Sequence, residues 1–239
     1  MIEGTDVVGG RRVNASTGAT LFRRLTADDW PAVVELEEAA WPPSLRADRA
    51  TVESRFALGH AMMGAWRGER LVGLGCYAAS DADPRDDALF PRTFVEFARI
   101  PASGNPLTAY TYNLCIHPAT RRLDVTLPLI ARLMVDARMA GCRLAVGDGR
   151  CPSYNGSNAA PDRVRANRRF RDAIDAWQRS GQRPPDEDLI LDPVLRFYRR
   201  TTGCSFIHLR PGFLPEDIAA GGFRVIFLID LERATSAKR

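Results

Sequence analysis

The chain has 239 residues, 45% hydrophobic and 26% charged, which is enough apolar material for one sizeable core and too balanced for global disorder. Its net charge of +4 rests on arginine, with a single lysine, Lys238. Either a coding bias or a basic surface for a phosphorylated ligand or an acidic carrier protein fits that balance, but no Lys/Arg block interleaved with aromatics marks a nucleic-acid surface.

Five scattered cysteines (Cys76, Cys115, Cys142, Cys151 and Cys204) lack C-x-x-C spacing, which argues against a disulfide framework or a zinc site. Residues 1–19 carry no apolar periodicity and no signal-type apolar run, and are expected to be a flexible tail ahead of a single domain over 20–235. No apolar run approaches the ~20 residues of a membrane helix. The expectation is a soluble, cytoplasmic protein without a metal.

Leu21 to Leu25 reads as a strand. Thr26-Ala27-Asp28-Asp29 then offers capping chemistry, with Thr26 accepting backbone N–H bonds and both aspartates at the positive end of a helix dipole. Trp30, Val33, Val34, Leu36 and Glu37 follow a helical repeat that ends before Pro42-Pro43. A second helix is expected over Ala47 to Leu58, with Val52, Phe56 and Ala57 inward. Ala61–Trp66 and Leu71–Tyr77 flank an Arg67-Gly68-Glu69-Arg70 turn and predict a hairpin.

Ser80 to Asn105 is a polar insertion with a short element near Thr93 to Ile100. Leu107 to Ile116 is strand-like and ends at His117-Pro118. A helix from about Leu127 to Ala140 closes on Gly141, with Pro128 in its first turn. Cys142 to Gly147 is the next strand. A second insertion over Pro152 to Leu189 holds a charged helical run from Val164 to Gln178. Asp192 to Tyr198 opens a helix closed near Gly203, and Ser205–Leu209 and Phe223–Leu231 are the last strands. This order predicts an α/β protein with a mixed central sheet flanked by helices.

Four stretches carry a resemblance in the right order. They are Leu25-Thr26-Ala27-Asp28-Asp29 with Leu36-Glu37, Gly68 with Leu71-Val72-Gly73, Asn113 through Arg121, and Asp192 through Gly203. Together they resemble the GNAT acetyltransferase superfamily, and Trp41-Pro42, Arg150-Cys151-Pro152-Ser153-Tyr154 and Asp192-Pro193 are similar to its larger natural-product and polyketide-loading members. The resemblance implies the GNAT fold with insertions between strands 3 and 4 and after strand 5. It also implies an acyltransferase that uses acetyl-CoA or another acyl-CoA, and a possible homodimer.

What the resemblance implies for the site is specific. Backbone N–H groups over Arg121, Arg122, Leu123, Asp124, Val125 and Thr126, aimed by a helix start, would hold the CoA diphosphate. Asp124 and Thr126 depart from the family pattern, which has glycine or a small residue there; Asp124 would either repel phosphate or turn away to cap the helix. Leu114 or Ile116 would polarise the thioester carbonyl through a backbone N–H. Tyr198 fits either a proton donor to the leaving thiolate or a packed tyrosine beside Phe197.

Asp148 reads as a general base or as a turn residue in Gly147-Asp148-Gly149, and is preferred to Glu96. Trp41, Arg46, Arg150 and Tyr154 are candidate substrate contacts, Arg150 by bidentate carboxylate binding; core packing is the competing reading of Trp41. Cys151 reads as a passive thiol, His117 as exposed, His60 as a helix cap, and His208 as either base or packed. The expected reaction is acyl transfer to a small-molecule amine by direct attack in a ternary complex. The alternatives are malonyl-CoA decarboxylation with loading of a carrier-protein thiol, and a GNAT fold that binds without catalysis.

Overall fold

The computed structural model describes residues 19–120, 123–155 and 161–236. Seven strands form one sheet: β1 (Leu21–Arg24), β2 (Ala61–Arg67), β3 (Arg70–Ser80), β4 (Thr108–Ile116), β5 (Leu144–Gly149), β6 (Ser205–Arg210) and β7 (Arg224–Asp230). Their order is β1-β2-β3-β4-β5-β7-β6, and every neighbouring pair is antiparallel except β4 with β5. A parallel pair needs a crossover, supplied here by helix α4 (Leu123–Met139).

Strand alternation divides the core in two. Met63, Ala65 and Val72 face α4, whose Val125, Leu129, Leu133 and Ala137 recur every fourth residue. Phe170, Ile174 and Trp177 of α5 (Pro161–Ser180) and Leu195 of α7 (Pro193–Thr202) close the same core. Met62, Leu71 and Leu74 face the other way, onto Val33 and Leu36 of α1 (Trp30–Ala40), Val52 of α2 (Arg49–Ala57) and Phe97 of α3 (Phe94–Phe97). Each such buried side chain contributes roughly 1.5–3 kcal/mol. Two short helices, α6 (Asp186–Leu189) and α8 (Leu231–Ser236), were not expected. Among the described residues, no helix is long and apolar enough to cross a membrane.

Two of the boundaries that differ from expectation bear on the site. Helix α4 begins at Leu123, four residues early, because Val125 already belongs to its buried stripe. Pro128 therefore falls in the second turn, at the cost of one intrahelical hydrogen bond. Strand β5 extends to Gly149, because β7 pairs with it to Gly149↔Val225, so Asp148 is a strand residue rather than a turn residue. Before α1, Thr26 accepts from the Asp29 N–H at its carbonyl oxygen (3.0 Å), as the cap reading expects, and also donates its N–H and hydroxyl to Asp29 Oδ2 (2.8 and 3.2 Å).

The pairing of β4 with β5 is short: it runs from Thr108↔Leu144 to Thr111↔Gly147. On its other edge, β4 carries a bulge. The register passes from Leu74↔Cys115 to Cys76↔Tyr112, so Asn113 and Leu114 together oppose Gly75. Asn113 has φ 55°, a left-handed conformation that asparagine tolerates better than most side chains. Thr111 Oγ1 donates to Val146 O at 2.7 Å and pins the last pair. A Cβ on Gly147 would lie 2.5 Å from Phe227 Cζ and 3.0 Å from Thr111 Oγ1, so that position tolerates glycine alone without rearrangement. Beyond it the two strands diverge.

Helix α7 is held over this opening from its first residue. Asp192, fully buried, accepts from Val194 N (2.8 Å), Leu195 N (3.2 Å) and, across the chain, Ser153 N (3.0 Å). Gly203, at φ 68°, ends the helix by donating to Arg199 O. Asp192→Ala strands three buried or half-buried amides, so a loss of about 2–4 kcal/mol is expected in urea denaturation; a loss under about 0.5 kcal/mol would contradict this role.

Candidate functional site

A cavity of about 510 Å³ lies at the gap between β4 and β5 and is lined by residues from both faces of the sheet. Tyr198 of α7 and Ile130 and Leu133 of α4 line it on one face; Glu37 of α1, Trp41 just beyond α1 and Arg55 of α2 line it on the other. Asn113, Leu114 and Ile116 of β4 form one wall, and Asp148 and Arg150 on and after β5 form the opposite one. His117 N–H donates to Val72 O of β3 at 3.0 Å. The two-residue period of a strand therefore turns the Ile116 N–H to the other edge, where β5 no longer pairs.

The start of α4 meets the cavity at Leu123 and Thr126. The first amides of a helix have no intrahelical acceptor and carry its positive dipole end. Leu123, Asp124, Val125 and Thr126 thus stand in a first helical turn; Val125 is buried in the core beneath it. Asp124 does not line the cavity. Its carboxylate is turned to Arg67 of β2 at 3.0 Å and is about half exposed. Arg121 and Arg122 lie outside the described residues.

On the β5 wall, two carboxylates share one arginine. Arg224 on β7 lies two residues from Ile226, the partner of Asp148, and so projects from the same face. It reaches Asp217 Oδ2 at 2.8 Å and Asp148 Oδ2 at 3.3 Å. Arg150 adds a bidentate pair to Asp217 at 2.7 and 2.8 Å. Burial would raise the Asp217 carboxyl, but the two guanidiniums hold it below the usual carboxylate range. For Asp148 burial wins over the more distant Arg224 and pushes its pKa to about 6. The environment therefore separates the pair into a permanent anion and a group that titrates near neutrality.

Tyr198 stacks on Phe227, with ring centroids 4.5 Å apart, and burial, followed by the charge of Asp148, raises its phenol above its ordinary value. Its hydroxyl makes no hydrogen bond to a described residue. Across the cavity Glu37, 1% exposed, accepts from Ala47 N at 3.0 Å and from Asn113 Nδ2. Burial raises its carboxyl despite those bonds.

Trp41 and Arg150 line the cavity, but the guanidinium of Arg150 is already committed to Asp217. Arg46 faces Glu38 at 3.7 Å on the surface, and Tyr154 donates to Asp175 at 2.7 Å and packs on Phe223; neither lines the cavity. Cys151 is fully buried and its thiol is pushed well up by that burial. Glu96 is exposed and accepts from Arg92 N.

Of the three histidines, only His117 departs from expectation. His117 is half-buried and accepts from Arg70 at 2.8 Å. His208 bonds Pro84 O and Asp87, fastening the first insertion. His60 caps α2 as expected, through its backbone: its N–H donates to Arg55 O at 3.1 Å behind Gly59 at φ 76°. The His60 ring is buried, donates Nε2–H to Ile100 O at 2.8 Å, and so accepts from the Tyr112 hydroxyl at Nδ1. Sequence reasoning missed Glu37, Arg55, Asn113, Asp217 and Arg224. The signal for two of them was present, since Glu37 is four residues from Val33 and Arg55 three from Val52, each on a buried stripe.

Neither a protein-family model nor a curated protein matches the chain. Solved structures do. The loading GNATL domain of CurA from Lyngbya majuscula superposes with a TM-score of 0.69 at 17% identity, covering 90% of this chain and 100% of that one. The chain has the GNAT fold. The GphF GNAT-like decarboxylase, solved with isobutyryl-CoA, aligns at a TM-score of 0.68 and 24% identity over 88% of this chain and 99% of that one. Malonyl-CoA decarboxylase from Agrobacterium vitis shares the GNAT fold at a TM-score of 0.60 and 15% identity, over 92% of this chain and 63% of the longer enzyme.

The Asp148 carboxyl, raised in the folded state to about 6 from an ordinary 3.8, favours folding in its protonated form. That contribution is complete below about pH 4 and is lost as pH rises through about 6, by roughly 2–3 kcal/mol. Urea midpoints over pH 4–8 are expected to fall less with rising pH in Asp148→Asn than in the wild type; parallel profiles would contradict the assignment.

Proposed function

We propose that the chain is an acyl-CoA-dependent acyltransferase that moves an acyl group to a small-molecule amine in a ternary complex. The observation that supports this most directly is the cavity through the sheet where β4 and β5 part, with the start of α4 at one end and titratable groups at the other. A long, thin thioester fits such a passage, and its diphosphate suits the amides of the first turn of α4. Thr126 on the cavity wall and Asp124 turned toward Arg67 leave that turn compatible with phosphate.

In this reading the Ile116 N–H polarises the thioester carbonyl from the unpaired edge of β4. Asp148, ionised above about pH 6, takes a proton from the acceptor ammonium and so frees the amine lone pair that attacks the carbonyl. The raised pKa of Tyr198 keeps its hydroxyl protonated, ready to donate to the departing thiolate. Trp41 shields the acceptor side from water.

A second reading is decarboxylation of a malonyl-type acyl-CoA, with or without transfer to a carrier-protein thiol. It is favoured by the likeness to the loading domain and to the GNAT-like decarboxylase, both aligned over almost their whole length. The mass of the products formed from malonyl-CoA, with and without an amine panel, separates the two readings.

With an accepted amine, Asp148→Asn is expected to lower kcat about 100-fold and to abolish the rise in rate through pH 6, and Tyr198→Phe to lower kcat about tenfold to 100-fold with the acyl-CoA KM within twofold. Failure of the wild type to release CoA thiol from any acetyl-, malonyl- or longer acyl-CoA would sink both catalytic readings.

A further inference from the structure

Arg55 is a buried arginine that the acyl transfer just described does not use. It lies three residues after Val52 on the buried stripe of α2, is 6% exposed, and its guanidinium carbon sits 5.0 Å from the ring centroid of Tyr112 on β4. Among the described residues, its Nε and Nη1 have no hydrogen-bond partner and no carboxylate lies within ion-pair distance. Glu37 lies near enough to be lowered by its charge, but both Glu37 oxygens are occupied, one by Ala47 N and the other by Asn113 Nδ2. His60 and Tyr112, also close by, bond to each other.

An arginine cannot shed its charge, so a buried guanidinium that no carboxylate hydrogen-bonds is a costly arrangement for a protein to retain. Here the side chain forms part of the cavity wall beside Glu37, Trp41 and Asn113, on the face opposite α4. That is the far end of the passage from the diphosphate end, past the position where the β4 amides are exposed.

We propose that Arg55 is the anchor for a free carboxylate on the substrate that fills this end of the cavity. The assignment rests on the acyl-CoA reading and makes it more specific: the reactants include a carboxylic acid. One chemistry has two possible sources here, the distal carboxylate of a dicarboxylic acyl thioester or the carboxylate of the amine acceptor. In either case a planar guanidinium pairs with the carboxylate, fixes the orientation of the reacting end and discriminates against the neutral analogue.

Calorimetric titration of wild type, Arg55→Met and Arg55→Lys tests this in two arms. The first compares malonyl-CoA and succinyl-CoA with acetyl-CoA and propionyl-CoA. The second compares glycine with glycinamide, and 4-aminobutyrate with butylamine, on protein saturated with CoA. Wild type is expected to prefer the carboxylate-bearing probe at least tenfold in one arm, which names the source. Arg55→Met is expected to reduce that preference to within twofold, and Arg55→Lys to lose at least fivefold of it, with binding of CoA itself within twofold throughout.

The free Arg55→Met protein is expected to melt no lower than wild type, because it loses an unanswered buried charge; should it fail to fold, Arg55→Lys carries the comparison. A preference below twofold in both arms, or one that survives in the variants, overturns the inference while leaving the acyl-CoA reading intact. No CoA binding to wild type overturns both.

Discussion

The parallel pairing of β4 with β5 stops after four residue pairs, and the site depends on that stop. An uninterrupted pair would satisfy every amide between the strands and leave no passage through the sheet. Two local features end it. The Asn113-Leu114 bulge bends β4 away while β3 still holds it, and Gly147 allows Phe227 and Thr111 to crowd the point of parting. The amides released by divergence, the cavity and the position of Tyr198 above it are consequences of one interrupted ladder. This is how a fold that is otherwise a filled two-sided core comes to carry a cavity at its centre.

Around that opening the charged groups are arranged by proximity to a limited number of cations. Arg150 and Arg224 converge on Asp217, which stays ionised, and Asp148 receives only the longer contact and drifts toward neutral pH. On the opposite face the arrangement is reversed: Glu37 is fully hydrogen-bonded, whereas Arg55 has buried donors without a partner. In the proposed reading, the titratable acid on one wall moves a proton and the cation on the other binds an anionic group.

Much of the fold was legible because its signals are local. The Asp192-Pro193 start and Gly203 end of α7 follow from capping chemistry within a few residues, and the β2–β3 hairpin from a period of two around Gly68. The order of elements, and with it the GNAT fold, followed from such pieces. The start of α4 was misjudged because Leu123–Thr126 had been matched to a loop motif; only the burial of Val125 beneath the helix decides otherwise. The length of β5 was likewise set by its partner β7, which lies about 75 residues away in the chain.

The site was less legible, since closeness in sequence to a motif is a poor guide to what a long side chain reaches. Arg46 and Tyr154 follow suggestive residues but are tied to Glu38 and Asp175 outside the cavity, whereas Arg224 and Asp217, remote in the chain, complete the environment of Asp148. A crystal structure of the protein with acetyl-CoA bears most directly on the central claim. The account predicts density for the thioester between β4 and β5, its carbonyl oxygen within hydrogen-bond distance of Ile116 N and its diphosphate at the first turn of α4. A ligand bound elsewhere, or β4 and β5 paired to their ends, would contradict it.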